Sequence, residues 1–164
     1  MPASTNPLRE RSHRLPLACY RGEVAVAFTA RLTAESLPLT DPSVIHALIT
    51  AFGVSARHHE CTVPVYCLMP DHVHLIIQGT DASADTWRAM TAFKQRSGYW
   101  LSRHCPGTRW QKDFYDHILR DNEDLRGAIQ YIAANPVRAG LVHDPREHAF
   151  TGSIGHEPAW SRDA

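Results

Sequence analysis

The sequence has no excess of charge of either sign: 17 Lys and Arg face 17 Asp and Glu over 164 residues. A whole-molecule positive field is therefore excluded as the source of any nucleic-acid affinity, and only local charge distribution can supply one. No apolar run approaches the roughly 20 residues that cross a bilayer, and residues 1–11 lack the apolar stretch of a secretory signal. A cytoplasmic protein without membrane contact is expected. The four cysteines, Cys19, Cys61, Cys67 and Cys105, contain no Cys-x-x-Cys spacing, which argues against a zinc knuckle and for reduced thiols.

Acidic residues are also missing locally. From Arg88 to Lys112 the chain carries Arg88, Lys94, Arg96, Arg103, Arg109 and Lys112 with no Asp or Glu, interleaved with Tyr99, Trp100 and Trp110. A solvated helix face accounts for part of this pattern. The complete absence of acids also suits a groove for single-stranded nucleic acid, with aromatic rings to stack on bases.

What is present divides into three stretches. Residues 1–22 are polar and basic, with Arg9, Arg11, Arg14, Arg21 and three prolines, and read as a mobile or loosely docked arm. Residues 23–142 carry the elements of one domain, and 143–164 form a polar tail. Val24–Leu32 is a predicted strand. Asp41-Pro42 opens a helix whose Val44, Ile45, Leu48, Ile49 and Phe52 fall at helical spacing. Cys61–Met69 and His72–Gln78 are predicted to pair as a hairpin around Pro70-Asp71. A second long helix spans Thr86 to about His104, a fourth strand Trp110–Arg120, and a third helix starts at Asp121 or Asn122 with Leu125, Ala128, Ile129 and Ile132 as its apolar stripe. Strand, helix, strand, strand, helix, strand, helix is an α+β order with an antiparallel four-stranded sheet.

The stretch 66–78, Tyr-Cys-Leu-Met-Pro-Asp-His-Val-His-Leu-Ile-Ile-Gln, carries the most chemical information. On a strand, His72 and His74 share one face while Val73 and Leu75 take the other. With 11 His in the chain, the bare triplet is close to what chance supplies. Its context on a rigid apolar strand leaves two readings open, a metal or phosphate site and a pair of solvent-facing histidines. On the last helix Tyr131 and Asn135 stand four apart and share a face beside the apolar stripe. Asn135 precedes Pro136, which disfavours helical geometry at that point; capping of a short helix closed by Gly140 is the structural alternative for its side chain.

Taken together, Met69-Pro70-Asp71-His72-Val73-His74-Leu75-Ile76, Trp110-Gln111 with Phe114-Tyr115-Asp116-His117, and Tyr131-Ile132 with Asn135-Pro136-Val137-Arg138-Ala139-Gly140-Leu141-Val142 resemble the IS200-like single-tyrosine transposases. Within that family the nearest likeness is to the REP-associated tyrosine transposases, over roughly residues 20–145. The resemblance implies a ferredoxin-like domain of the HUH endonuclease type, with helices on one face of the sheet and a C-terminal tyrosine-bearing helix. It also implies metal-dependent cleavage and rejoining of single-stranded DNA at hairpin (palindromic repeat) elements through a covalent 5′-phosphotyrosine. Carried over by position, His72, His74 and Asn135 are the implied ligands of Mg²⁺ or Mn²⁺, and Tyr131 is the implied nucleophile. Relatives more often carry Gln where this chain has Asn135.

The chemistry suits these residue types. A divalent cation offsets the charge of a phosphodiester, and three protein ligands leave positions for substrate oxygens; imidazole ligands favour Mn²⁺ over the harder Mg²⁺. A phenol with an ordinary pKa of about 10 is roughly 0.1% ionised at neutral pH, a barrier of about 4 kcal/mol, and no carboxylate stands out as its base. An aryl phosphate is itself a good leaving group, so the covalent intermediate can be reopened by a DNA 3′-hydroxyl without ATP. Arg88, Lys94, Arg96, Arg103, Arg109, Lys112 and His117 are the expected DNA contacts. A hairpin-binding module without catalysis, or a ferredoxin-like RNA-binding module, is the alternative. Monomer and homodimer both fit, in the cytoplasm at the nucleoid.

Overall fold

In the computed structural model, which describes residues 15–155, the strands are β1 (Ala25–Arg31), β2 (Cys61–Leu68), β3 (His72–Gly79), β4 (Tyr115–Leu119) and β5 (Thr151–Ile154). They form one sheet in the order β4-β1-β3-β2-β5, antiparallel throughout. The helices are α1 (Pro42–His58), α2 (Thr86–His104), α3 (Asn122–Ala133) and the single turn α4 (Asn135–Arg138). Strands β1 to β4 with α1 and α2 make the expected α+β arrangement around an antiparallel sheet.

Side-chain alternation gives the sheet two unlike faces. On the larger, Val26, Phe28, Val63, Leu68, Val73 and Leu75 pack with Leu48 and Phe52 of α1 and Met90 and Phe93 of α2. Phe52 and Phe93 stack with ring centroids 3.9 Å apart, which locks the two helices together. On the smaller face Ala25, Val65, Cys67, Met69 and Ile76 meet Ile129 and Ile132 of α3. His72 and His74 alternate with Val73 and Leu75, so they project on this smaller face, the same one that α3 covers.

The helix starts follow from their caps. Asp41 accepts from the Ser43 amide at 2.8 Å, Asp85 from that of Arg88 at 2.9 Å and Asp121 from that of Asp124 at 2.8 Å. Helix α3 ends at Ala133, and Asn135, although it precedes Pro136, is the first residue of α4 and not its cap. Gly140, at φ +73°, closes α4 in the left-handed conformation that a helix end needs, and the Leu141 amide donates to the Pro136 carbonyl at 2.9 Å.

Three features depart from the sequence reading. The sheet has five strands rather than four, because Thr151–Ile154, inside the segment read as a polar tail, pairs with the outer edge of β2. The fourth strand starts at Tyr115; Trp110 instead makes an isolated bridge to Leu32 and buries its ring, donating its indole N–H to Ser97 Oγ at 2.9 Å. Residues 1–14 of the expected arm, with Arg9, Arg11 and Arg14, lie outside the described residues. The arm's described end is docked: Leu17–Tyr20 form a 3-10 turn, Tyr20 is fully buried, and its carbonyl accepts from Thr86 Oγ1 at 2.8 Å. Among the described residues, no helix is long and apolar enough to cross a membrane.

Candidate active site

Two imidazoles meet where β3 begins. The Nε2 atoms of His72 and His74 are 3.1 Å apart, with ring planes at 84°. Each ring is held from behind: His72 Nδ1 lies 2.6 Å from Asp71 Oδ1, and His74 Nδ1 lies 2.8 Å from Thr29 Oγ1 on β1. The hydrogen bond from His72 holds the Asp71 carboxyl below the usual range, so Asp71 is an ionised acceptor. His72 Nδ1 must then be the donor, and its Nε2 faces that of His74. The gap of 3.1 Å between the two Nε2 atoms suits one positive particle, a proton or a metal ion.

Burial pushes the His74 imidazole down to about 4, and the nearby charges of His72, Arg31 and Arg138 act in the same direction. Every charged group acting on His74 is thus basic. Such a ring is neutral at physiological pH and available as a ligand, in surroundings that favour an anionic substrate. Arg31 stands opposite His72 in the β1–β3 register. A cleft of about 310 Å³ lies next to Asp71, with Arg31, Pro38, Pro70 and Gln111 also in its walls; neither histidine lines it.

Helix α3 brings the tyrosine to this face. Ile129 and Ile132 anchor the helix, and Tyr131 between them is 64% exposed, so its phenol is open to solvent and to a large substrate. Asn135 makes no capping hydrogen bond; α4 starts after Ala134 without a side-chain cap. Its Oδ1 accepts from Arg138 Nη2 at 3.4 Å, while its Nδ2 is buried with no partner. The Arg138 guanidinium in turn lies 3.8 Å from the centroid of the Tyr131 ring. Among the described residues no group of three His, Cys, Asp or Glu is placed to hold an ion.

A histidine pair at the head of a central strand, faced by a helix bearing an exposed tyrosine and an amide one turn later, is accompanied by a family match over most of the chain. The family described as IS200-like transposases matches residues 33–135. The chain belongs to the IS200-like transposase family. A Haemophilus influenzae protein assigned by name to the REP-associated tyrosine transposases is 27% identical over 124 residues, 69% of each chain. The REP-associated tyrosine transposase of Escherichia coli is 28% identical over 111 residues, 65% of this chain and 60% of that one. A solved REP-associated tyrosine transposase bound to a REP hairpin superposes with a TM-score of 0.70 at 23% identity, covering 85% of this chain and 80% of its own. That likeness extends the agreement to the fold.

The expected DNA contacts of this transposase are scattered. Helix α2 buries Met90, Phe93 and Leu101 against the larger face of the sheet, so Arg88, Arg96 and Arg103, on its exposed side, stand across the sheet from the histidines. Arg96, Tyr99 and Arg103 form an outward stripe there, with Tyr99 70% exposed. Lys94 donates to the carbonyls of Gln111 at 2.7 Å and Lys112 at 3.0 Å, which ties down the loop before β4. Arg109 pairs with Glu35 at 2.9 Å, and Lys112 lines a shallow cleft beside Trp110. His117 is exposed opposite Ala27, on the histidine face, and Tyr115 is exposed opposite Thr29 on the same face. The residues that the sequence reading passed over are Thr29, Asp71, Arg31 and Arg138. For Arg138 a signal existed, since 131, 135 and 138 repeat at helical spacing.

Proposed function

We propose that this transposase cleaves and rejoins single-stranded DNA at hairpin-associated sites, with Tyr131 as nucleophile and with His72, His74 and Asn135 as the seat of a divalent cation, Mg²⁺ or Mn²⁺. The observation that carries the reading is the 3.1 Å approach of the two Nε2 atoms on the face that the tyrosine helix covers. Two donor atoms at that distance match neighbouring corners of an octahedron with bonds of roughly 2.2 Å, the coordination both ions accept. Asn135 supplies a further test of fit. Its amide oxygen, which accepts one long hydrogen bond from Arg138 at 3.4 Å, is a hard donor with a second lone pair, of the type both ions take. Asp71 and Thr29 behind the rings are the outer support that ligand histidines require. The residues present fit the ion.

Bound there, a divalent cation supplies positive charge to the phosphoryl oxygens and aligns the phosphate for in-line displacement. The protein does the rest. The Tyr131 oxygen forms a bond to phosphorus as the bond from phosphorus to the 3′ oxygen breaks; the phenol loses its proton to solvent, and the departing 3′ oxygen gains one. The product is a 5′-phosphotyrosine and a free 3′-hydroxyl. Attack of a 3′-hydroxyl on that linkage returns the phenol and rejoins the strand. Because α3 packs on the histidine face of its own sheet, one chain carries every group named, which supports action in cis by a monomer. The relative bound to a REP hairpin supports a hairpin-bearing DNA as substrate, and our reading extends to work at the nucleoid.

The test is an adduct assay with labelled single-stranded hairpin DNA and Mn²⁺ or Mg²⁺. A protein–DNA species resistant to SDS is expected, lost with EDTA and in Tyr131→Phe. Persistence of the adduct in Tyr131→Phe would move the nucleophile elsewhere. Hairpin binding with no adduct, indifferent to EDTA and to His72→Ala, would instead establish a binding module, and preference for RNA of equal sequence an RNA-binding one.

A further inference from the structure

Arg138 touches both residues of the tyrosine helix that the proposed reaction uses, yet has no part in it so far. Its Cζ stands 3.8 Å from the centroid of the Tyr131 ring, its Nη2 is 3.4 Å from Asn135 Oδ1, and its charge reaches His74. Arg21 and Arg88 pair with Asp85, Arg109 with Glu35 and Arg146 with Asp144. Among the described residues Arg138, like several other arginines, pairs with no carboxylate, and it differs from them in resting on the Tyr131 ring. Stacking on an aromatic ring occupies the face of a guanidinium and leaves its in-plane N–H donors available. Asn135 takes one of the five. The side chain is exposed, so an incoming strand can meet the others.

We propose that Arg138 binds the scissile phosphate: the guanidinium, fixed by the Tyr131 ring and the Asn135 amide, donates to the non-bridging oxygens of the phosphodiester that Tyr131 attacks. The inference rests on Tyr131 being the nucleophile. As the bond from the tyrosine oxygen to phosphorus forms and the bond to the 3′ oxygen breaks, negative charge gathers on the two non-bridging oxygens. A planar, permanently charged fork is matched to that pair in shape and sign. Arg138 transfers no proton in the step. The ring-stacked position also explains why an arginine serves here better than a lysine, whose compact ammonium has no flat face to rest on the phenol ring.

The test measures adduct formation by wild type, Arg138→Gln and Arg138→Lys on two DNAs, one with a normal scissile phosphodiester and one with an uncharged methylphosphonate at that linkage. Wild type against Tyr131→Phe on the normal DNA first establishes the nucleophile, independently of Arg138. Loss of one donor to a developing oxyanion costs about 100-fold or more in rate; that loss is expected for Arg138→Gln on the normal DNA, with a smaller loss for Arg138→Lys. On the methylphosphonate the deficit is expected to shrink to a few-fold, since the charge that Arg138 meets is gone. Guanidinium ion added to Arg138→Gln is expected to restore part of the rate. A rate for Arg138→Gln close to wild type on normal DNA, or an equal deficit on both DNAs without rescue by guanidinium, overturns the proposal and leaves the Tyr131 assignment standing.

Discussion

Thr29 on β1 lies 2.8 Å from Nδ1 of His74 on β3, so a neighbouring strand, and not solvent, settles which nitrogen of that ring faces His72. Replacing the hydroxyl by a methyl keeps the volume and removes the hold. Thr29→Val is expected to weaken Mn²⁺ binding by roughly 10- to 100-fold, the usual effect of losing an outer-shell partner. The cost in fold stability should be about 1 kcal/mol. Calorimetric titration with Mn²⁺ beside urea unfolding reads both, and unaltered Mn²⁺ affinity would show that the contact does not orient the ring.

The histidines away from the site add to His74 in setting a pH limit on the fold. Burial pushes His148 below its ordinary value, and it does the same to His59, with the charge of His58 adding to the effect. In the unfolded chain both rings titrate at about 6.5. Below that value the unfolded state takes up protons that the folded state refuses, so stability is fully present above it and declines as pH falls towards the depressed folded values. Urea midpoints measured in EDTA are expected to drop between pH 7.5 and 5.5. The drop should be smaller in His148→Gln; an identical pH dependence in that variant would remove His148 from the account.

Two glycines predict opposite outcomes for one substitution. A Cβ on Gly79, at the end of β3, would land on the backbone carbonyl of Gly22 and against Ala84, neither of which can yield without moving the strand. Gly79→Ala is expected to cost at least about 2 kcal/mol. Gly127 lies within α3 with nothing near the position of an added Cβ. There Gly127→Ala is expected to add roughly 0.5–1 kcal/mol and to steady the turn before Tyr131. Denaturant midpoints of the two variants decide it, and a destabilised Gly127→Ala would mean that α3 needs a flexible point.

The parts of the fold and site that could be read from sequence share one property: the signal is local. Alternation around His72-Val73-His74-Leu75 assigns faces because a strand repeats every two residues, and the stripe Leu125, Ala128, Ile129 and Ile132 marks the inner side of α3 for the same kind of reason. What escaped depends on contacts between distant segments. Helical periodicity shows which side of α2 is buried, but not which face of the sheet it covers, and this is why Arg88, Arg96 and Arg103 stand away from the histidines. Thr151–Ile154 is short, contains glycine and serine, and is a strand only because the edge of β2 offers it partners. Tyr20 reads as part of a polar arm, yet its burial comes from packing against residues far along the chain, Trp87 among them. That Arg138 follows Tyr131 at helical spacing could be read from the sequence, but its stacking on the Tyr131 ring is visible only in three dimensions.

The fifth strand also limits how copies of this chain can associate. Its pairing occupies the outward amides and carbonyls along β2, and the Leu68 amide just beyond it is taken by the carbonyl of Phe150 at 3.0 Å. A continuous sheet running from one molecule into the next through β2 is therefore closed off unless this strand first detaches.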